Sequence, residues 1–417
     1  MSAPYDVVLY GATGFTGRIV AQYLAEHPQQ PSIAFAGRNK AKVQSIVDGL
    51  TNVSAERVKS IGVIEASAGD FASLQAFAKS ARVIINTVGP YSLLGGFDVV
   101  RAAIEAGVGY VDLTGETGYY ARVVRELHDS AVANKAVIIP SAGFDSLPFD
   151  LTTYLANEEI RRIDPNATIS KTLLAYKVKG GVSGGTIASA LSMREDADQK
   201  NLTKPYWLSP VTGSSKYAVG PVMMPQVNKY GIPSPFTPHN TRIVYRTWGL
   251  LHELDPSRSY GPTFTYEEGV TMPNLIYAYI VNALMSVFLW ILFNVDIVSK
   301  LVTKAIPPGS GPSLEEQLNG KVHLRAYSEA NNSKLKAIAE LTANGDPGYL
   351  ITSRFLAETA LALAFDKERL SPLAQTGGIL TTATIGGEVI ASRLGTYAGM
   401  TIKSAVVNEG ADLTAPL

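Results

Sequence analysis

Seven residues near the amino end, GATGFTG at positions 11–17, carry the first chemical signal. They follow an apolar run, Tyr5–Tyr10, and precede residues 18–27, where Ile19, Val20, Tyr23 and Leu24 recur at helical spacing. Strand, glycine turn and helix in that order make a phosphate cradle. The helix start offers unpaired N–H groups and the positive end of its dipole to an anion. The spacing is G-x-x-G-x-x-G. Gly11 suits the tight turn, Gly14 the close approach of backbone to pyrophosphate, and Gly17 the packing of helix on strand. Gly11, Ala12, Thr13, Gly14, Phe15, Thr16 and Gly17 are therefore expected to line a dinucleotide. A glycine-rich turn without a ligand is the plain alternative.

The next signal selects the nucleotide. A second strand, residues 32–36, ends in Gly37, Arg38, Asn39 and Lys40, with Lys42 close behind. A dinucleotide domain specific for NAD carries an acidic residue here for the ribose hydroxyls. This chain has arginine instead, and a guanidinium pairs well with a 2′-phosphate. NADPH/NADP+ is thus the expected cofactor, against the alternative of a solvated basic loop. Asp70 stands where an adenine edge could be read, or it caps the helix that starts at Phe71.

Three further loops hold groups that can move protons. Asn86, Gly89 and Tyr91 lie in NTVGPY, Glu116 in DLTGE, and Asp145 in PSAGFDSLPFD. Each loop follows an expected strand, and ligands of parallel sheets lie outside the carboxyl ends of strands. Tyr91 is the first choice as donor of a proton or hydrogen bond. Glu116 and Asp145 come next, as a relay or as cofactor contacts. The chain has no cysteine, which excludes thiol catalysis, iron–sulfur ligation and Cys-based zinc sites. H-E-x-x-H, G-x-S-x-G and Walker A patterns are absent from the sequence, and His239 and His252 lack metal-ligand spacing, so no metal is expected.

The elements that must hold these loops alternate. Strands are expected at 5–10, 32–36, 58–64, 82–86, 110–112 and 136–139. Helices are expected at 18–27, 71–80, 96–106 and 117–134. That alternation indicates a parallel, doubly wound α/β sheet of the Rossmann type over residues 1–150. Residues 151–345 read as a second, mixed α/β domain. It has a helix at 149–159, a β segment at 169–178, a helix at 187–194 opened by Ser183, and a hairpin of 322–329 with 334–342. The Pro- and Tyr-rich stretch 201–255 reads as loops over a pocket. Residues 346–417 form a C-terminal segment. It begins with a helix capped by Asp346 and ends in a helix near 387–394 and a strand near 402–407. The 417 residues balance 36 basic against 36 acidic side chains, which argues against general nucleic-acid binding. The first apolar run has no basic region before it, so it reads as a strand rather than a signal peptide, and a cytoplasmic location is expected.

At this point the blocks GATGFTG, AGR, NTVGPY, DLTGE and PSAGFDSLPFD, in this order, resemble the saccharopine dehydrogenase-like oxidoreductases, including the trans-acting enoyl reductases. SGGT at 183–186, GDPGY at 345–349 and GGILTTA at 377–383 extend the resemblance over nearly the whole chain; Thr382 stands where proline is expected. The resemblance implies a Rossmann domain split between residues 1–150 and a returning segment, 346–417, that completes its sheet, with 151–345 inserted between them for substrate or dimerisation. It also implies an NADPH-dependent reductase of an activated carbon–carbon double bond on a lipid or polyketide-type substrate, free or carrier-bound. It places Asn86, Gly89 and Tyr91 near the nicotinamide ribose. Two other functions stay open: a saccharopine- or imine-type dehydrogenase of a small substrate, and an NADPH-binding lipid-surface scaffold without turnover.

From 269 to 295, apart from the strand end, the chain is strongly apolar and carries no charged residue. Residues 275–295 are long enough, as a helix, to cross a bilayer core. Asn282, Ser286 and Asn294 share one side of it, and Lys300 and Lys304 follow at a spacing suited to phospholipid headgroups. Three outcomes compete: a membrane span, a helix lying on a membrane or lipid droplet through residues 274–304, and a helix buried in the core or in a homodimer. The resemblance favours lipid contact.

Overall fold

The computed structural model describes residues 3–407 except 182, 193, 195–200, 202, 216–219 and 308. Met193, in the expected helix 187–194, and Pro308, in a helix-breaking Pro-Pro-Gly, lie outside the described residues. Six strands come first: β1 (Tyr5–Tyr10), β2 (Ile33–Gly37), β3 (Gly62–Glu65), β4 (Ala81–Asn86), β5 (Gly109–Asp112) and β6 (Val137–Ile139). The next are β7 (Ile169–Lys179), β8 (Val222–Met224), β9 (Lys229–Ile232), β10 (Thr265–Met272), β11 (Lys321–Ala330), β12 (Lys336–Asn344), β13 (Gly378–Ile379) and β14 (Thr401–Val407).

The first sheet runs β13-β6-β5-β4-β1-β2-β3, and every pair in it is parallel. In β1, Val7 and Leu9 enter one core layer, with Val20 and Leu24 of the Phe15–Glu26 helix and Phe355 of the Thr352–Phe365 helix. Val8 and Tyr10 enter the other layer, with Leu74, Phe77, Val99 and Tyr120. Helices thus cover both faces, which is why the strands read as continuous apolar runs. The order reverses between β4 and β1, and that switch point opens a crevice at the carboxyl ends. The C-terminal segment completes the sheet, as expected, through β13 beside β6 and the Thr352–Phe365 helix over β1, β4 and β5.

The second sheet is mixed, in the order β14-β12-β11-β7-β10-β9-β8. Only β7 with β10 is parallel among its pairs. The Leu147–Ile163 helix leaves the first sheet and packs across β7, β11, β12 and β14, joining the two sheets in one core.

Several elements differ from expectation. Ser54 accepts from the Arg57 amide and starts a short helix, Ala55–Ser60, so the third strand begins only at Gly62. Within 201–255, Thr237–Leu254 is an 18-residue helix. Fourteen of its residues are buried, polar ones included, so it shows no one-sided apolar stripe to read. The last strand, β14, pairs with β12 of the second sheet rather than returning to the first. At 346, Asp346 does accept from the Tyr349 amide, but a wide turn, Pro347–Ile351, precedes the Thr352–Phe365 helix.

The apolar stretch forms a 20-residue helix, Leu275–Asn294, followed by a second helix, Asp296–Ala305. Of the first helix only Ala278 and Leu292 are buried. Ala278 docks it on Ile232 and Met272 at the edge of the second sheet, and Asp296 pairs with Arg194 at 2.9 Å beyond its far end. Burial in the protomer core is therefore not its state.

Candidate functional site

The glycine loop is built as its spacing demands. Gly11 has φ +95°, and its amide donates to the Ala36 carbonyl at 2.9 Å, tying the turn to β2. Gly14 donates to the Gly11 carbonyl at 3.0 Å. The Phe15–Glu26 helix then starts without a side-chain cap, so its first N–H groups remain for an anion. A Cβ on Gly14 would meet only the Gly11 carbonyl oxygen, at 3.4 Å, leaving one side of the loop open. A Cβ on Gly17 would lie 2.1 Å from that oxygen and 2.9 Å from its carbon. These are backbone atoms and cannot yield locally. Gly17→Ala is expected to lower stability by roughly 1–3 kcal/mol and weaken nucleotide binding at least about tenfold. Gly14→Ala should keep wild-type melting but still weaken binding. Thermal melting beside a fluorescence titration separates the two effects; unchanged melting and binding in Gly17→Ala would contradict this geometry.

Ala12, Thr13, Phe15 and Thr16 complete the cradle. Arg18 folds back to donate to the Thr13 carbonyl at 3.2 Å, and the Phe15 ring meets Tyr349 edge-on at 5.1 Å. Arg38 projects from the loop after β2, exposed, with no hydrogen bond or ion pair among the described residues. An unneutralised guanidinium beside an open phosphate cradle fits a 2′-phosphate. Asp70 caps the Phe71–Lys79 helix, its Oδ1 accepting from Ala72 and Ser73 at 3.1 and 3.3 Å. That is the second of the two roles weighed for it.

The loop after β4 is held from several sides. Thr87 Oγ1 donates to the Tyr10 carbonyl at 3.1 Å, joining this loop to the glycine turn. Asn86 is fully buried: its Oδ1 accepts from the Val88 amide at 2.9 Å and its Nδ2 donates to the Tyr110 hydroxyl at 3.1 Å. Gly89 lies where a Cβ would meet the Tyr91 ring at 3.3 Å.

Tyr91 is buried, and its hydroxyl donates to the Asn86 carbonyl at 2.9 Å while accepting from the Leu113 amide at 3.3 Å. Burial first, then the Asp112 charge, push this phenol well up. Its proton faces the main chain, which makes Tyr91 a strut between β4 and β5. Glu116 is likewise engaged. Its carboxylate accepts from the Tyr91 amide at 2.8 Å, the Ser92 amide and hydroxyl at 3.0 and 2.6 Å, and the Ser189 hydroxyl at 3.2 Å. It orients the 86–92 loop against the Gly184–Ser192 helix. Asp145 differs: it is half-buried, and its Oδ1 is enclosed without a hydrogen-bond partner.

Two residues outside the expected set organise the crevice. Asp112, at the end of β5, accepts from the Thr114 and Ser141 amides at 2.9 and 3.0 Å and from the Tyr110 hydroxyl at 2.8 Å. Burial pushes it up to about 7 despite these donors. His239 bridges Thr117 and Ser141, with Nδ1 and Nε2 each 2.9 Å from a hydroxyl oxygen. Ser141 spends its own proton on the Thr114 carbonyl at 2.6 Å, so Nε2–H must donate to Ser141 and Nδ1 must accept from Thr117. Burial drives the imidazole down to about 3, which keeps it neutral. It pins the Thr237–Leu254 helix to two strand-end loops of the first sheet. Sequence spacing could not reveal this, because the partners are a Ser and a Thr, 98 and 122 positions away respectively.

Ser183 accepts from the Thr186 amide at 3.3 Å, so it caps the Gly184–Ser192 helix, and its own amide donates to the Tyr349 hydroxyl. GDPGY thus reaches the site through Tyr349.

Comparison with known proteins agrees with this architecture. Residues 7–139 match the family described as the saccharopine dehydrogenase NADP binding domain. A Mycobacterium tuberculosis protein named among the trans-acting enoyl reductases is 32% identical, over 94% of this chain and 95% of its own. A trans-acting enoyl reductase of Mycobacterium bovis is 30% identical with the same coverage. Apo saccharopine dehydrogenase (L-Glu forming) from Saccharomyces cerevisiae shares the fold, with a TM-score of 0.54 at 14% identity over 97% of this chain and 100% of that one.

Proposed function

Because the chain belongs to the saccharopine dehydrogenase-like family of NADP-dependent oxidoreductases, we propose that it is an enoyl reductase acting on a hydrophobic acyl substrate. The observation that carries this reading is end-to-end kinship with proteins named enoyl reductases. NADP(H) is the cofactor, and the open cradle at Gly14 with unpaired Arg38 suits it. When bound, it supplies hydride to the β-carbon of the substrate. The protein's part is to fix that geometry, exclude water and stabilise charge developing on the acyl oxygen. Asn86, Glu116 and Tyr91 hold the strand-end loop for this purpose.

A small amino-acid substrate would need a basic group for its carboxylate. The two buried arginines of the Thr237–Leu254 helix are turned elsewhere: Arg242 donates to the Lys204 and Pro238 carbonyls, and Arg246 to the Leu208 and Ile379 carbonyls. This supports an uncharged acyl group over an imine-type substrate. The test is NADPH oxidation with a panel of enoyl thioesters of increasing chain length beside saccharopine-type substrates. Turnover rising with chain length is expected; turnover of the amino-acid substrates alone would overturn the reading.

We further propose that the Leu275–Asn294 helix lies on a phospholipid surface. Ile276, Leu284 and Trp290 are 75, 66 and 63% exposed, a patch far larger than scattered surface apolars. Two of its polar side chains are satisfied within the helix, which suits a lipid-facing surface: Ser286 donates to the Asn282 carbonyl and Asn294 to the Trp290 carbonyl. Lys300 and Lys304 of the next helix are exposed beside Ile297 and Leu301, supplying charge for anionic headgroups. The flanking strands β10 and β11 belong to one sheet, so a single span would tear that sheet across the bilayer.

A further inference from the structure

Where the two sheets face each other, a group of buried polar atoms lacks partners. Asp145 Oδ1 and the neighbouring Ser146 Oγ come from the loop after β6. The Tyr176 hydroxyl comes from β7, beside the Ser234 and Thr237 hydroxyls but without a well-aligned bond to either, and Asn240 Oδ1 comes from the Thr237–Leu254 helix. Glu268, on β10, lies among them: its carboxylate accepts from Asn240 Nδ2 at 3.1 Å and from the Tyr266 hydroxyl at 2.7 Å. Buried polar groups are nearly always satisfied, and exceptions gather where a ligand or water completes them. These lie at the carboxyl end of the first sheet, on the side the crevice opens to.

The two carboxyls are not equivalent. Glu268 receives two hydrogen bonds, which favour its charged form. Asp145 Oδ1 receives none, and Glu268 sets a like charge opposite it. Burial raises both to about 7, and the Glu268 charge adds to the rise at Asp145. The other ionisable groups facing this space are the Tyr176 and Tyr266 phenols, both held neutral by burial. The hydrogen bonds favour the charge on Glu268, and that charge favours the proton on Asp145.

We propose that the Asp145 carboxyl delivers the proton that completes reduction, while the Tyr176 hydroxyl on the facing wall donates to the developing enolate oxygen. This rests on the enoyl-reductase reading above. Hydride brings two electrons to the β-carbon, and the carbon–carbon π pair moves toward the acyl oxygen, where Tyr176 donates without losing its proton. The Asp145 O–H bond then breaks as the α-carbon–hydrogen bond forms. Asp145 is left as a carboxylate, and a solvent proton restores it.

Asp145→Asn, Glu268→Gln and Tyr176→Phe test this in the full chain. In cofactor-free protein, infrared spectra of wild type at pH 6 should contain a protonated-carboxyl stretch that Asp145→Asn removes. Glu268→Gln should shift its titration to lower pH, because the like charge is gone. With NADPH and an enoyl thioester, Asp145→Asn should lose about 100-fold or more in turnover while melting and NADPH affinity stay unchanged. Tyr176→Phe should lose about 100-fold, as expected for one lost donor at a developing oxyanion. Wild-type turnover in Asp145→Asn, or no Asp145 carboxyl band, would overturn the proton-donor role. If wild type binds NADPH but reduces no enoyl thioester, the enoyl-reductase reading fails instead, and the infrared result still reports whether Asp145 holds the proton.

Discussion

Exchanging Leu284, Phe288 and Trp290 for serine is expected to release the protein from phospholipid vesicles without loss of fold or of NADPH binding. The three side chains are 66, 52 and 63% exposed, so they contribute little to the protomer's core. Fully burying such a side chain is worth about 1.5–3 kcal/mol, so half-exposed ones should together give about 3–5 kcal/mol on entering a lipid surface. That corresponds to about 10²–10⁴-fold in partitioning. Co-sedimentation with phosphatidylserine-containing vesicles reads it directly. Lys300→Gln with Lys304→Gln should weaken binding to these vesicles, more at low salt than at high, and leave neutral vesicles unaffected. A wild-type protein that ignores vesicles and sediments as a dimer, with the dimer lost in the triple variant, would assign the helix to self-association instead.

Arg38→Ala is expected to weaken NADPH about 10–100-fold while changing NADH by no more than about twofold. The lost interaction is a pair of charge-assisted hydrogen bonds to the 2′-phosphate, worth about 1.5–3 kcal/mol. NADH has a hydroxyl there, so the guanidinium contributes little to it. Arg38 has no protein partner among the described residues, so its removal leaves no buried group unsatisfied and melting should not move. Equal losses for the two nucleotides, measured by fluorescence titration, would remove Arg38 from 2′-phosphate recognition.

The two cases differ in how far local residues could reveal them. GATGFTG and Arg38 announce themselves because a turn, a close approach and a charge are each satisfied within a few residues of the chain. The same locality made the first sheet readable: strands buried on both faces are apolar throughout, and the helices between them keep one apolar side. The Thr237–Leu254 helix fails both tests. It is enclosed on nearly all sides, and its arginines and histidine are paid for by contacts with distant carbonyls and hydroxyls.

Tyr91 and Asp145 show the same limit inside the site. Both stand on strand-end loops, and both side chains can donate a proton. Only packing separates them: the Tyr91 hydroxyl closes on the Asn86 carbonyl, whereas Asp145 keeps an unpartnered oxygen and faces Glu268. Tyr176 and Glu268 belong to no motif, and Glu268 comes near Asp145 only because β10 pairs with β7.

From the chain alone came the Rossmann order, the nucleotide, the arginine proposed for its 2′-phosphate, the family, and a long uncharged helix. Those properties follow from short-range periodicity, glycine geometry and residue type. The edge strand β14 in the second sheet, the exposure of that helix, the neutral His239 clamp and the Asp145–Glu268 pairing depend on contacts between residues far apart in the chain. Burial and partner geometry, which set the charge and availability of each side chain, exist only once the two sheets have packed together.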